Sequence, residues 1–137
     1  NCQTTEITVE VTETGDSCNR IITRTFTATD GCGNSSSCFQ VITIVDTTAP
    51  VLTIPSDLSF ECDAVGSYGD ASATDNCNDV TVTMTETDNN DLCERVITRT
   101  FIASDACGNP SVSQTQTITI VDTTAPVITG LPSLDMP

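Results

Sequence analysis

Apolar and polar residues alternate along several short segments of the chain. Val80, Val82 and Met84 are separated by threonines, and Ile7, Val9 and Val11 are spaced in the same way. A period of two places one face of a strand in a core and the opposite face in solvent. No stretch of ten residues has the period of a helix. The pattern therefore predicts an all-β protein.

Three further strands are predicted from shared faces. Ile97, Phe101 and Ala103 lie on one face of a strand, and Ile118 and Ile120 lie opposite Thr119. Two short apolar segments, 51–54 and 58–61, are interpreted as one strand interrupted near Pro55, because proline suits a strand edge or a bulge. The earlier counterparts of these apolar positions are Ile22, Phe26, Ala28, Ile42 and Ile44.

The sequence repeats itself with an offset of 75 to 76 residues. Residues 20–26 (RIITRTF) return as 95–101 (RVITRTF), and residues 42–50 (ITIVDTTAP) return unchanged as 118–126. A fixed period is typical of tandem structural units. We therefore expect a partial first unit without its opening strand (1–49), a complete second unit (50–124) and the first strand of a following unit (125–137), as in a segment of a longer array.

A unit of about 75 residues with several short strands predicts an immunoglobulin-like β-sandwich. A core of this size is marginally stable on its own, and the eight cysteines supply reinforcement. The equal 16-residue spacings predict the pairs Cys77–Cys93 and Cys2–Cys18. Cys62–Cys107 then follows in the second unit, and Cys32 either closes a small loop with Cys38 or has a partner before residue 1. The predicted fold is thus a tandem, disulfide-stapled β-sandwich.

Composition limits the functions open to the chain. It has four basic residues, all arginine, against 19 acidic residues, and it has no histidine. Its formal net charge of −15 argues against binding to nucleic acid or insertion into a membrane. Without histidine or lysine, the common nucleophilic triads and Schiff-base chemistry are absent. We therefore expect no enzyme activity and no catalytic residues.

The cysteine content indicates where the protein works. Zinc sites usually contain Cys-x-x-Cys pairs or histidine, and neither is present. Disulfides are favoured instead, and they persist outside the reducing cytosol. The sequence therefore predicts an extracellular or cell-surface location.

Several recurring motifs resemble those of the hyalin-repeat family and its relatives. They are Asp46–Pro50, Glu61–Asp63, Asp75–Cys77, Thr98–Phe101, Cys107–Asn109 and Ile118–Pro126. The resemblance implies an immunoglobulin-like fold in long extracellular arrays, an association with adhesion and large secreted proteins of Bacteroidota-type bacteria. It implies no catalytic residues. Cys38 departs from the repeat, because the second unit has serines near the equivalent position.

Clustered acidic and amide side chains suggest calcium as a candidate ligand, although no cofactor is required. Calcium prefers several oxygen ligands. The alternative is that aspartate and asparagine stabilise turns through the neighbouring backbone. The candidate calcium ligands are Asp46, Asp75, Asp79, Asp105, Asn109 and Asp122.

Two sequence signals indicate candidate glycosylation sites. Asn34 begins the Asn-Ser-Ser sequon, whereas the sequon at Asn109 is excluded by its proline. Thr47 and Thr123 follow aspartate, as in a bacterial O-glycosylation signal.

The leading functional hypothesis is a rigid spacer or filament subunit whose partners are neighbouring repeats or copies of itself, joined head to tail by covalent continuation or by strand donation. The alternative is an adhesin module that binds a glycan or a protein. The second hypothesis directs attention to residues 64–70, which carry Tyr68, the single tyrosine of the chain. Arg24 and Arg99 lie mid-strand on the parity of the buried phenylalanines, and we interpret them as structural.

Overall fold

Nine β-strands in three sheets form the computed structural model, which describes residues 5–77 and 79–130. The strands are β1 (Thr5–Gly15), β2 (Asn19–Asp30), β3 (Ser35–Val45), β4 (Val51–Thr53), β5 (Leu58–Glu61), β6 (Ser72–Thr74), β7 (Val80–Asp88), β8 (Glu94–Asp105) and β9 (Gln114–Val121). The all-β prediction is confirmed. Within the described ranges, no helix is long and apolar enough to cross a membrane.

The second unit contains two sheets that enclose a core. One sheet has the order β5-β9-β8-β7, and the other pairs β4 with β6. Leu52 on β4 packs with Phe101 and Ala103 on β8, and Ile97 packs with Ile118 in a second cluster. These five side chains are at most 7% exposed. The predicted inward faces of β8 and β9 are therefore confirmed.

The segments on either side of Pro55 belong to different sheets. Residues 51–53 pair antiparallel with β6, whereas residues 58–61 pair parallel with β9. The interruption predicted near Pro55 is thus a crossover between the two layers. Strand β6 was not predicted, because its three residues include a single apolar side chain, Ala73.

The first unit forms one antiparallel sheet in the order β1-β2-β3. Its strands are the repeat counterparts of β7, β8 and β9. Ile7 and Val9 are 68% and 47% exposed, and Phe26, the counterpart of Phe101, is half-buried. The difference arises because β4 and β6 cover the equivalent face in the second unit and β5 extends its sheet beside β9. The described part of the first unit has no such strands.

The predicted disulfide pairs are wrong wherever the structure describes both cysteines. Cys18 is bonded to Cys107, which excludes the pairs Cys2–Cys18 and Cys62–Cys107. Cys38, Cys62, Cys77 and Cys93 are exposed free thiols, so Cys77–Cys93 and Cys32–Cys38 are also absent. Cys32 is itself disulfide-bonded. Cys2 lies outside the described residues.

Strand geometry explains these errors. Cys77 precedes β7 and Cys93 follows it, so the nine-residue strand separates the two thiols by about 30 Å. Cys62 lies beside Val121, which pairs with the first residue of β8, whereas Cys107 follows the last residue of that strand. Equal spacing in sequence therefore reflects equal strand length, and it does not bring the cysteines together.

Candidate functional site

Five cysteines are held by the same local turn. In each, an aspartate two residues earlier accepts a hydrogen bond from the cysteine backbone N–H, with N···Oδ1 distances of 2.8–3.0 Å. This Asx turn fixes the backbone without help from distant residues. The pairs are Asp16–Cys18, Asp30–Cys32, Asp75–Cys77, Asp91–Cys93 and Asp105–Cys107.

Two of these turns belong to a larger loop with the pattern Asp-x-Cys-Gly-Asn. In the second unit, Oδ1 of Asp105 accepts the backbone N–H groups of Cys107 and Asn109, and Oδ2 accepts the Asn109 side-chain amide at 2.8 Å. Gly108 has a φ of 87°, which favours glycine. The loop from Asp30 to Asn34 repeats these bonds. The motif therefore folds into the same loop in both units.

The loop also controls the ionisation of Asp105. Desolvation is the largest influence on this carboxyl group and raises its pKa, but the hydrogen bonds from the Asn109 side chain and from the Asn109, Cys107 and Gly108 backbones together hold its pKa below the usual value. Hydrogen bonds from the Asn34 side chain lower the pKa of Asp30 in the same way. Both carboxylates are therefore stabilised as acceptors for their loops.

The two units meet at a joint that consists of Cys18, Asp46, Cys107 and Asn109. The disulfide joins the turn before β2 to the loop after β8, with the two Cα atoms 5.2 Å apart. The Asp46 N–H donates to the Cys18 carbonyl at 3.1 Å, and Nδ2 of Asn109 donates to the Asp46 carbonyl at 3.3 Å. One covalent bond and a chain of hydrogen bonds thus connect the linker to both units.

Three of the predicted calcium ligands, Asp46, Asp105 and Asn109, lie together at the joint. The carboxylates of Asp46 and Asp105 and the Cys107 sulfur have atoms within 4.8 Å of one another. The Asn109 side-chain amide donates to the backbone carbonyl of Asp46 and to the carboxylate of Asp105. Because Cys107 is in a disulfide, its sulfur is not a thiolate ligand. Oδ2 of Asp75 is buried with no hydrogen-bond partner among the described residues.

The other predicted ligands are elsewhere. Asp122 lies at the far end of β9, where its N–H donates to the Cys93 carbonyl, and exposed Asp79 belongs to the segment before β7. The structure therefore divides the predicted ligands between two ends of the second unit. Calcium binding remains a prediction.

The predicted glycosylation sites differ in their contacts. Thr47 is exposed. The Thr123 hydroxyl is bonded to Oε1 of Glu61 at 2.6 Å, and the Asn34 amide donates to Asp30 at 3.0 Å. Two of the three acceptor groups therefore already take part in local structure, and glycosylation remains a prediction at all three.

Tyr68, the residue singled out for the adhesin hypothesis, packs against the core. Its ring lies 6.2 Å from that of Phe60, and the Arg99 guanidinium lies 6.0 Å from its centroid. Arg99 also donates to the Gly69 carbonyl at 3.0 Å and to Gln116 at 3.1 Å. These contacts give Tyr68 and Arg99 a structural role in holding residues 64–70 on the sheet, and ligand binding by Tyr68 remains a prediction.

Sequence reasoning missed Asp16, and it placed Asp91 in an acidic loop cluster without connecting it to Cys93. These two aspartates hold the cysteines of the β1–β2 and β7–β8 turns. Both also accept the next backbone N–H, from Asn19 and Glu94. The recurring Asp-x-Cys spacing is the signal that identifies them. It appears five times in the sequence, and each time it forms the turn described above.

Comparison with known proteins found a distant, partial similarity to hyalin. The chain is 38% identical over 120 residues to hyalin from Strongylocentrotus purpuratus, which covers 78% of this chain and 10% of that protein. No protein-family model matches the chain. The chain therefore contains a hyalin-repeat-like sequence and spans about a tenth of the length of this relative.

Proposed function

We propose that the chain is a structural segment of an extracellular fibre, in which successive β-units are locked end to end. The similarity to hyalin supports an extracellular structural or adhesive module rather than an enzyme. The disulfide supports a location outside the reducing cytosol. The proposal depends above all on the position of that disulfide, which joins two units instead of reinforcing one.

The joint opposes separation of the units under tension. A load applied along the chain would otherwise reach the linker at residues 46–50 and the strands behind it. The disulfide closes a loop with a sequence separation of 89 residues. In the chain-entropy model, a loop of that length stabilises the folded state by about 4–5 kcal/mol. The bond also carries force directly between the units, so residues within the loop are shielded from extension.

Single-molecule force spectroscopy tests this role. The full chain, pulled from residues 5 and 130 under oxidising conditions, is expected to lengthen on complete unfolding by about 300 Å less than the Cys107→Ser variant, at about 3.5 Å per shielded residue. Cys38→Ser is the matched control, because Cys38 is an exposed free thiol on β3. It should behave as the parent chain does. Equal extension of the parent and the Cys107→Ser variant would show that the joint carries no load.

A further inference from the structure

Cys93 occupies the same local structure as Cys18, which forms the observed disulfide. Asp91 accepts the Cys93 N–H at 2.8 Å, as Asp16 accepts that of Cys18 at 2.9 Å. The Cys93 carbonyl accepts the N–H of Asp122 at 3.2 Å, and the Cys18 carbonyl accepts that of Asp46 at 3.1 Å. The second unit therefore has, at its far end, the same turn and linker contacts that hold Cys18 in the first unit next to Cys107.

The loop that carries the partner cysteine, Cys107, also recurs in both units. This Asp-x-Cys-Gly-Asn loop has the same hydrogen bonds at residues 30–34 and at residues 105–109. The loop is thus formed by its own sequence, and a further repeat that carries this motif would present its cysteine in the same way. The expected partner of the Cys93 thiol is therefore the cysteine thiol of such a loop.

We propose that Cys93 forms a disulfide with the Asp-x-Cys-Gly-Asn cysteine of a following repeat unit, as Cys18 does with Cys107. The occupant of this site is a hyalin-repeat-like unit, in the same polypeptide or in a second copy. The inference rests on the proposed structural function and deepens it, because it names the partner at the next joint and the bond that secures it.

A second disulfide follows at the same joint from the positions of Cys62 and Cys77. The Cys62 N–H donates to the Val121 carbonyl at 2.9 Å, which places Cys62 beside the next linker. Residues 75–76, next to Cys77, line a pocket together with Thr48 and Ala49 of the first linker. Cys62 therefore lies at the end of the second unit that a following unit would adjoin, and Cys77 lies at the end that adjoins the preceding linker. Cys62 pairs with the Cys77 counterpart of the following unit.

The directions in which the thiol pKa values of Cys62 and Cys77 shift are consistent with these positions next to the linkers. Desolvation raises the pKa of the Cys62 thiol, and the charge of Asp122 raises this pKa further. Desolvation also raises the pKa of the Cys77 thiol, with added effects from Asp46, Asp75 and Asp105. Each thiol is thus close to the aspartate of one linker.

Pairing between Cys62 and Cys93 of one unit does not fit the sheet. Strand β9 lies between β5 and β8, and the two cysteines flank its end at Val121 and Asp122. Two strand spacings separate such positions by about 10 Å. A disulfide needs Cα atoms no more than about 7 Å apart. The two thiols therefore remain available to partners outside the unit.

Bond formation needs an oxidant, which is an external disulfide such as oxidised glutathione. The Cys93 thiolate attacks one sulfur of the oxidant, forms a mixed disulfide and releases one thiolate. The partner cysteine then attacks the Cys93 sulfur and releases the second thiolate. Two protein thiols are oxidised, and one external disulfide is reduced to two thiols, which take up the two protons. Because its pKa is raised, Cys62 has less thiolate at neutral pH than an unperturbed cysteine and is expected to exchange more slowly.

The experiment compares the full chain with an extended chain in which residues 1–125 are followed by residues 50–137. Both are oxidised with oxidised glutathione, alkylated with N-ethylmaleimide and mapped by mass spectrometry without reduction. The extended chain should contain Cys93 linked to the Cys107 counterpart of the added unit, and Cys62 linked to its Cys77 counterpart. Labelling of Cys93 should fall by about tenfold or more relative to the full chain.

Two variants of the extended chain serve as controls. Cys93→Ser should abolish the Cys93 cross-link and leave Cys18–Cys107 in place, and Cys38→Ser should alter neither. Migration on a non-reducing gel distinguishes the sources of the partner. A monomer containing the cross-link identifies the same polypeptide, and a ladder identifies a second copy.

Complete labelling of Cys93 in extended molecules that retain Cys18–Cys107 would overturn this inference and leave the proposed function standing. A link between Cys93 and Cys62 or Cys77 of its own unit would do the same. Loss of Cys18–Cys107 itself in the full chain would overturn the proposed function and this inference together.

Discussion

Repeated residues have different roles in the two units. Gln116 is fully buried, and its amide donates to the carbonyls of Ser56 and Tyr68 at 2.8 and 2.9 Å, while its oxygen accepts from Arg99. Its counterpart Gln40 is exposed, with a 3.5 Å contact to Arg24. The same amide thus connects the loop to the sheet in one unit and faces solvent in the other.

This contrast provides a matched pair of substitutions. Gln116→Ala should lower the free energy of unfolding by about 3 kcal/mol, because it removes three part-buried hydrogen bonds, to Ser56, Tyr68 and Arg99, and opens a cavity. Gln40→Ala should change it by less than about 0.5 kcal/mol. Urea unfolding followed by circular dichroism measures both changes. Similar values for the two variants would mean that the buried network contributes little.

At the residue scale, the residues that stabilise turns were predictable from the sequence, whereas the different environments of repeated residues were not. Aspartate and asparagine were expected either to stabilise turns or to bind calcium, and the Asp-x-Cys turns contain the backbone hydrogen bonds expected of turn residues. Nothing in the residue pattern distinguished Gln116 from Gln40. Their difference depends on Ser56 and Tyr68, whose carbonyls on either side of β5 accept from the Gln116 amide.

At the scale of strands, β2 and β8 are a natural comparison. Each has 12 residues, and each is paired on both sides. Strand β8 contributes Ile97 and Phe101 to the core, at 2% exposure each. Their β2 counterparts, Ile22 and Phe26, are half-buried because no second layer covers them among the described residues. The two strands therefore have similar hydrogen bonds and different burial.

Hydrogen exchange should separate these two effects. We expect the amides of β8 to exchange about 100-fold more slowly than those of β2, because opening a strand without a buried face disrupts fewer apolar contacts. Peptide-resolved deuterium exchange of the oxidised full chain measures the ratio. The loops at 30–34 and 105–109 are the internal control, since their hydrogen bonds match. Equal protection of β2 and β8 would show that pairing alone determines strand stability here.

The buried faces of β8 and β9 were predictable because the period of two survives in the sequence, whereas the face of β1 that the same period predicts to be buried is exposed. The pairing of strands was less accessible. Strand β4 and strand β5 are four residues apart and lie in different sheets. Strand β6 has one apolar residue and is recognisable only through its pairing with β4. Alternation indicates which side of a strand is apolar, and it identifies neither the neighbouring strand nor the layer that covers the apolar side.

At the scale of the whole molecule, the cysteines also show that a local sequence pattern does not identify partners in space. A disulfide across the 16-residue spacing of Cys77 and Cys93 would be stabilising in the chain-entropy model. A strand of nine residues nevertheless keeps the two thiols apart. The observed bond spans 89 residues and two units. Its partners follow from how the units abut, which no local spacing reports. The repeat period predicts that cysteines recur, and the joint determines which of them meet.

The joint also allows a test, in the intact chain, between the two alternatives of calcium binding and turn stabilisation. We expect the melting temperature to be the same in about 5 mM calcium and in EGTA at matched ionic strength, a concentration that would saturate most extracellular calcium modules. The physical reason is that the Asp105 carboxylate already accepts three N–H bonds from its own loop, while Oδ1 of Asp46 accepts the N–H of Thr48 at 3.0 Å.

Ionic strength must be matched because a net charge of −15 makes any added cation stabilising through screening. The measurement is differential scanning calorimetry of the oxidised chain and of Asp46→Asn. A calcium-specific rise in melting temperature that is lost in Asp46→Asn would contradict the expectation. It would mean that the two carboxylates share a cation in addition to their protein donors, and that each joint carries an ionic contact beside its disulfide.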